Sequence, residues 1–216
     1  MSRPDVKICG INSAEAAEAA ARHGARYAGL VFYPPSPRSV DAAQAAALAA
    51  RMPDSVLKVG LFVDPDDDLL GEVLAQVPLD MLQLHGSETP QRTAEIRSRH
   101  GRAVLKAVKV AQPEDLDQVA DYEAAADMLL FDAKAPKTMA NALPGGNALA
   151  FDWRLLGNRT GKLPWMLSGG LKRENLAEAV TISRARAVDV SSGVEDSPGR
   201  KNPELIRAFL EQARTL

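Results

Sequence analysis

Eight short apolar, β-rich runs recur along the chain, and segments of helical period lie between them. The runs are Val6–Cys9, Tyr27–Phe32, Leu57–Val63, Met81–Leu84, Val104–Val110, Met128–Phe131, Trp165–Leu167 and Ala187–Val190. Strict strand–helix alternation implies parallel strands, because a parallel pair needs a long crossover where an antiparallel pair needs only a turn. A doubly wound open sheet and a closed eight-stranded barrel both satisfy that rule. Eight repeats in 216 residues, near the lower size limit for barrels, favour closure. The expected fold is therefore α/β, a single (β/α)8 TIM barrel over residues 1–216. No linker, low-complexity tract or shift of composition marks a second domain.

The helical segments carry boundary signals. Asn12 with Glu15 three residues on reads as a capping box, and Gly24 stands where a C-terminal cap belongs. Leu69, Leu70, Val73, Leu74 and Val77 form one apolar stripe. Leu205, Ile206, Phe209, Leu210 and Ala213 form another, after Asn202 as cap and Pro203 in the first turn. A helix with one stripe packs on a sheet face.

Composition narrows the partners. Lys plus Arg number 26 against 28 Asp plus Glu, a formal charge of −2, so neither nucleic acid nor an anionic membrane is expected. Any affinity for phosphate must come from a local site. Cys9 is the only cysteine, which fits a reducing cytoplasm. Met1 to Asp5 runs straight into the first strand, with no signal-peptide pattern. No run of about 18 apolar residues suits a membrane span.

In either architecture ligands bind at the C-terminal ends of the strands. Glycine and reactive side chains collect at these ends. They are Cys9-Gly10, Tyr33 to Arg38, Asp64, His85-Gly86, Val110, Asp132, Ser168-Gly169-Gly170 and Ser191-Ser192-Gly193. Glycine lets backbone approach a ligand closely, and free N–H groups can point at phosphate oxygens. One such turn is as readily an ordinary left-handed turn. Two in adjacent loops, after strands seven and eight, favour a phosphate site, to which Gly199-Arg200-Lys201 would add positive charge.

Cys9 shares a strand face with Lys7, so that face is not simply apolar; the thiol is either a small core residue or a general base. Asp132 ends strand six on the face of Met128 and Leu130. A carboxyl group among apolar neighbours suits a general acid, and its alternative is a helix cap. No helical pattern follows it: residues 134–150 read as a long loop, of the kind that often serves as a lid. Arg38, in the proline-rich loop Pro34 to Ser39, is placed to recognise a carboxylate or else lies solvated on the surface. Gln83 and His85 share one face of strand four, where His85 would hold its neighbours by hydrogen bonds. His23 and His100 fall at helix ends, so no metal site is expected.

Taken together, the motifs resemble the phosphoribosylanthranilate isomerase family. They are Lys7-Ile8-Cys9-Gly10-Ile11, Ser36-Pro37-Arg38, Gly60-Leu61-Phe62-Val63, Gln83-Leu84-His85-Gly86, Phe151-Asp152-Trp153, Ser168-Gly169-Gly170-Leu171, Asp189-Val190-Ser191-Ser192-Gly193-Val194-Glu195 and Pro198 to Pro203. They run in order over nearly the whole chain. The resemblance implies a cofactor-free Amadori rearrangement of N-(5-phosphoribosyl)anthranilate in tryptophan biosynthesis. It further implies Asp132 as general acid, Cys9 as general base and Arg38 at the anthranilate moiety. Backbone of Gly169, Gly170, Ser191, Ser192 and Gly193 would hold the phosphate, with His85 and Asp189 supporting the substrate site.

One departure stands out. Family members usually read Gly-Gly-Thr/Ser-Gly where this chain has Gly145-Gly146-Asn147-Ala148. Other phosphosugar barrels are the alternatives. A ribulose-phosphate epimerase would want metal-binding histidines, and an indole-glycerol-phosphate synthase catalytic lysines, for which Lys106 and Lys109 alone stand near. A non-catalytic phosphate-binding barrel would need neither Cys9 nor Asp132. Monomer and homodimer are both compatible with the sequence.

Overall fold

Eight parallel strands close into a barrel in sequential order, β1 to β8, in the computed structural model. It describes residues 3–136, 138–139, 143–157, 159 and 161–216. The elements are β1 (Asp5–Cys9), α1 (Ala14–Arg22), β2 (Tyr27–Val31), α2 (Ala42–Ala49), β3 (Leu57–Phe62), α3 (Asp67–Gln76), β4 (Met81–Leu84) and α4 (Pro90–His100). There follow β5 (Ala103–Val110), β6 (Met128–Ala133), β7 (Trp165–Leu167), α5 (Arg173–Ser183), β8 (Ala187–Val190), β9 (Glu195–Ser197), β10 (Arg200–Lys201) and α6 (Pro203–Arg214). The eight expected strands are all present, with ends within two residues of expectation. Closure is made by β8 against β1, where Lys7 pairs in register with Asp189.

Parity divides the strands. Val59, Met81, Leu105, Ala107, Met128, Leu130, Met166 and Ala187 pack together inside the barrel, while Ile8, Leu30, Phe62, Leu82, Leu129 and Val188 face the helices. Helix α1 offers the outer layer Ala16, Ala17, Ala19 and Ala20, all buried, so small side chains bring it close to the sheet.

The alternation fails in two crossovers. Between β5 and β6 the chain forms a 3-10 helix, Pro113–Tyr122, instead of an α-helix. Between β6 and β7 only the short 3-10 turn Trp153–Leu155 appears among the described residues. The expected loop at 134–150 holds no helix or strand where it is described; residues 137 and 140–142 of it, like Met1 and Ser2, lie outside the described set.

Two boundary signals also resolve differently. The cap of α1 is Ser13, whose hydroxyl accepts from the Ala16 amide, one residue later than the Asn12–Glu15 box. Asn12 instead donates to the Gly199 carbonyl at 2.8 Å, tying the loop after β1 to the β9–β10 hairpin. Gly24 does follow the helix in the left-handed region, at φ 78°. In α6, Asn202 caps and Pro203 opens the helix as expected, yet Leu205 is 39% exposed and outside the buried stripe.

Candidate active site

The site begins with the pleat. On β1, residues 7 and 9 point inward, so Lys7 and Cys9 sit side by side at the top of the barrel. Gly29 on β2 leaves them room: a β-carbon there would lie 3.0 Å from both the Cys9 Sγ and the Lys7 Nζ. Lys7 is fully buried and donates to the Asp189 Oδ1 at 2.9 Å across the closing seam. The Ser168 hydroxyl on the β7 end donates to the other oxygen of Asp189 at 3.0 Å. Asp189 thus joins three neighbouring strands.

The charges set the thiol's chemistry. Burial opposes the Lys7 ammonium, but the Asp189 carboxylate and Cys9 outweigh it, and Lys7 is held above its ordinary value. Burial pushes the Cys9 thiol up; Lys7 beside it and Lys201 pull it back without cancelling the rise, and Asp189 adds to it. A cation fixed beside a buried thiol favours its thiolate, the form that could accept a proton, to a degree set by these neighbours.

Across the mouth, Asp132 on β6 is buried within one network. His85 Nε2 lies 3.2 Å from its Oδ2, and the Gln83 Nε2 lies 2.8 Å from the His85 Nδ1. The Ala133 amide donates to Asp132 Oδ1 at 3.0 Å. Asp132 is not a helix cap; it stands within β6, which runs one residue further.

Arg38 is buried, not solvated. Its Nε and Nη2 each donate at 2.8 Å to Glu195, a bidentate pair that fixes the guanidinium plane. Lys201 Nζ reaches the same carboxylate at 2.7 Å and the Ser191 carbonyl at 2.9 Å. Burial alone would raise Glu195, yet the two cations hold its carboxyl below the usual range. Two cations on one carboxylate leave one positive charge in excess beside the cleft, ready for an anionic group. The expectation that Arg200 and Lys201 both add charge to a phosphate site is corrected for Arg200, and Lys201 acts only through the shared Glu195 pair. Arg200 is exposed near Asp196, and Lys201 is spent on Glu195 and Ser191.

The two glycine turns differ. Gly169 (φ 89°) and Gly170 (φ 62°) occupy the left-handed region, and β-carbons there would press on Ala133 N and the Leu149 carbonyl, each at 2.8 Å. Gly193 lies in a 3-10 turn, Ser192–Val194, without positive φ; it is glycine because a β-carbon would collide with the Leu171 carbonyl oxygen. The loops after β7 and β8 interlock there. Among the described residues no turn hydrogen bond uses the amides of Gly169, Gly170, Ser192 or Gly193, which leaves donors for oxygen ligands.

Over this mouth lie residues 143–149. The Asn147 side chain closes them on themselves, donating to the Leu143 carbonyl at 2.7 Å and accepting from its amide at 3.1 Å. Gly145 sits where a β-carbon would come 2.7 Å from His85 Nε2 and 2.9 Å from Asp132 Oδ2, and the Gly146 carbonyl accepts from Arg38 at 3.4 Å. Ala148 adopts φ 57°, a conformation costly for any residue with a β-carbon.

All of this surrounds one cleft, partly open to solvent. Cys9, Arg38, His85, Asp132 and Asp189 line it together, as do Gly169, Gly170, Ser191 and Ser192; Gly193 stands behind the lining. Lys7 and Glu195 were not singled out by sequence reasoning as site residues, and Lys201 was expected to meet a ligand and not Glu195. Glu195 stands in a quoted motif, but a partner 157 residues away leaves no local signature. Among the described residues no three His, Cys, Asp or Glu side chains converge as metal ligands, and no helix is long and apolar enough to cross a membrane.

The cleft has counterparts in known proteins. The family model of N-(5'-phosphoribosyl)anthranilate isomerase matches residues 6–212. The protein of that name from Rhodospirillum centenum is 61% identical, with 98% of each chain covered. The crystal structure of phosphoribosyl anthranilate isomerase from Thermotoga maritima superposes with a TM-score of 0.87 at 36% identity, covering 99% of this chain and all of the other. A second isomerase structure, in complex with reduced 1-(o-carboxyphenylamino)-1-deoxyribulose 5-phosphate, gives 0.84 at 34% identity, with 99% and 100% covered.

Proposed function

The chain belongs to the N-(5'-phosphoribosyl)anthranilate isomerase family, and from that premise we propose how its residues divide the work. The reaction is an Amadori rearrangement within tryptophan biosynthesis: N-(5-phosphoribosyl)anthranilate becomes 1-(2-carboxyphenylamino)-1-deoxyribulose 5-phosphate. It is an aldose-to-ketose isomerisation with no net redox change, so an acid and a base suffice.

Asp132 gives a proton to the furanose ring oxygen, the C1'–O4' bond breaks, and the anilino nitrogen lone pair forms the Schiff base. The Cys9 thiolate then removes the proton at C2', leaving an enolamine that tautomerises to the ketone. Each turnover leaves Asp132 ionised and Cys9 protonated, so both reset before the next. The observation that carries this reading is that Cys9 and Asp132, on β1 and β6, open into the same cleft as Arg38 and the two glycine turns.

Arg38, held by Glu195, meets the anthranilate carboxylate. The amides of Gly169, Gly170, Ser191, Ser192 and Gly193 hold the phosphate, and Asp189 supports the thiol's surroundings through Lys7. The whole chain acts as one catalytic domain, without a cofactor, in the cytoplasm, as monomer or homodimer. The test is direct: purified protein without added metal should quench the fluorescence of freshly prepared phosphoribosylanthranilate. No turnover there would sink the assignment.

A further inference from the structure

Gln83 is an unusual residue to find inside this barrel. It is fully buried on the inner face of β4, and its register neighbours are Leu61 on β3 and Leu105 on β5. A hydrocarbon side chain would fill that layer without leaving polar atoms dry. The amide instead makes one contact, from Nε2 to the His85 Nδ1 at 2.8 Å, while its Oε1 is buried with no partner among the described residues. An unsatisfied buried polar atom costs stability, because it gives up its bond to water and gains none in return. The layer tolerates that cost at a single place, directly beneath the His85–Asp132 pair.

The orientation of the amide follows from satisfaction. Turned the other way, Gln83 would leave both N–H donors of its NH2 group without an acceptor; as it stands, one N–H is used and a carbonyl oxygen and one N–H are left, the less costly outcome because an orphaned carbonyl is tolerated better than an orphaned donor. With Nε2–H donated into Nδ1, the His85 proton must sit on Nε2, 3.2 Å from Asp132 Oδ2. We propose that Gln83 is a positioning residue for the acid step: it fixes the neutral Nε2–H tautomer of His85, which donates to Asp132. This rests on the reading of Asp132 as general acid.

Three consequences follow. The Nε2–H donor stabilises the carboxylate that Asp132 becomes as its proton leaves. The lone pair at Nδ1 is occupied by the Gln83 N–H, so the ring N–H faces Asp132 from Nε2. The ring plane is also held from below, while Gly145 closes on the same two atoms from above. A barrel-stabilising role alone would predict the reverse of this residue choice.

The test uses Gln83→Met, which keeps length and apolar packing while removing the donor, and Gln83→Glu, which offers Nδ1 an acceptor. Two-bond 1H–15N spectra of the His85 ring should show the Nε2–H tautomer in the native protein. Gln83→Met should lose that preference, and Gln83→Glu should place a proton on Nδ1. Gln83→Met should lower kcat roughly tenfold, the scale of one lost hydrogen bond, with KM within about threefold and thermal stability retained or raised. In an Asp132→Asn background the same change should cost nothing further, since the network has already lost its purpose.

An unchanged His85 tautomer in Gln83→Met overturns the proposal. So does a shifted tautomer with native kcat, or an equal kcat loss in the Asp132→Asn background. If Asp132→Asn alone keeps native kcat, it is the general-acid reading that fails, and the spectra still judge what Gln83 does to His85.

Discussion

The two sides of the barrel mouth are built by different means. On the β7–β8–β1 side, buried ion pairs and hydrogen bonds cross every seam: Lys7 to Asp189, Ser168 to Asp189, and Lys201 to Ser191 and Glu195. Backbone there also interlocks, Gly193 against Leu171. On the β4–β6 side, Asp132 hangs on one network through His85 and Gln83, and residues 143–149 cover it, tied to themselves by Asn147. The proposed base, Cys9, therefore stands on a cross-linked wall, and the proposed acid, Asp132, under a segment anchored mainly to itself. On the proposed roles, the first wall suits an anion held by many fixed amides and the second a ring that opens beneath an acid.

The largest effects should come from the two proposed reacting groups. Cys9→Ala and Asp132→Asn should each lower kcat by roughly 100-fold or more, the scale of a single proton transfer, with product affinity little changed. Steady-state kinetics and product titration check this. A near-native kcat in either would remove that residue from the chemistry. Adding methyl groups on the two sides separates them next. Gly193→Ala forces apart the loops after β7 and β8, so it should raise KM and lower the thermal midpoint. Gly145→Ala presses on His85 and Asp132, so it should lower kcat by about tenfold and leave the fold intact. Equal kinetic signatures would erase the distinction between the walls.

The cross-linked wall also makes a pH prediction with a definite sign. Burial and Asp189 both raise Cys9, while Lys7 and Lys201 lower it. The thiolate fraction grows with pH, so kcat/KM should climb through the region above neutrality as Cys9 ionises. Asp189→Asn removes a negative charge but keeps an acceptor for Lys7 and Ser168. The climb should therefore move to lower pH. A move to higher pH would mean that Asp189 acts on the thiol chiefly by holding Lys7 in place.

The barrel was legible because strand parity and apolar spacing are local properties. Lys7 beside Cys9, and Gln83 beside His85, could be read from the pleat alone. What joins them across the fold could not. Arg38 reads equally well as a surface side chain until Glu195 is seen to hold it, and Lys201 looks like charge for a ligand until Ser191 and Glu195 take it up. The 3-10 segment at Pro113–Tyr122 carries an amphipathic pattern that does not distinguish it from an α-helix. Asn12 and Ser13 are both good caps, and the choice fell to Ser13 because Asn12 was needed by Gly199.

The smallest effect concerns the departure at Ala148. Its φ of 57° costs an alanine about 1 kcal/mol relative to glycine, a strain set beside the two hydrogen bonds of the Asn147 side chain. Asn147 and Ala148 thus act in opposition: one holds residues 143–149 over the acid, the other works against the same conformation. Ala148→Gly relieves the strain but also widens the choices of the chain when it leaves the mouth, and the two terms nearly offset. Relief should prevail narrowly, because the φ is imposed on the conformation that lines the cleft. KM should fall about two- to fourfold with kcat nearly unchanged, whereas Asn147→Ala should raise KM by a similar factor. If both variants move KM the same way, the self-tied segment is not what shapes this side of the mouth, and the contrast between its two walls lies in Asp132 and His85 alone.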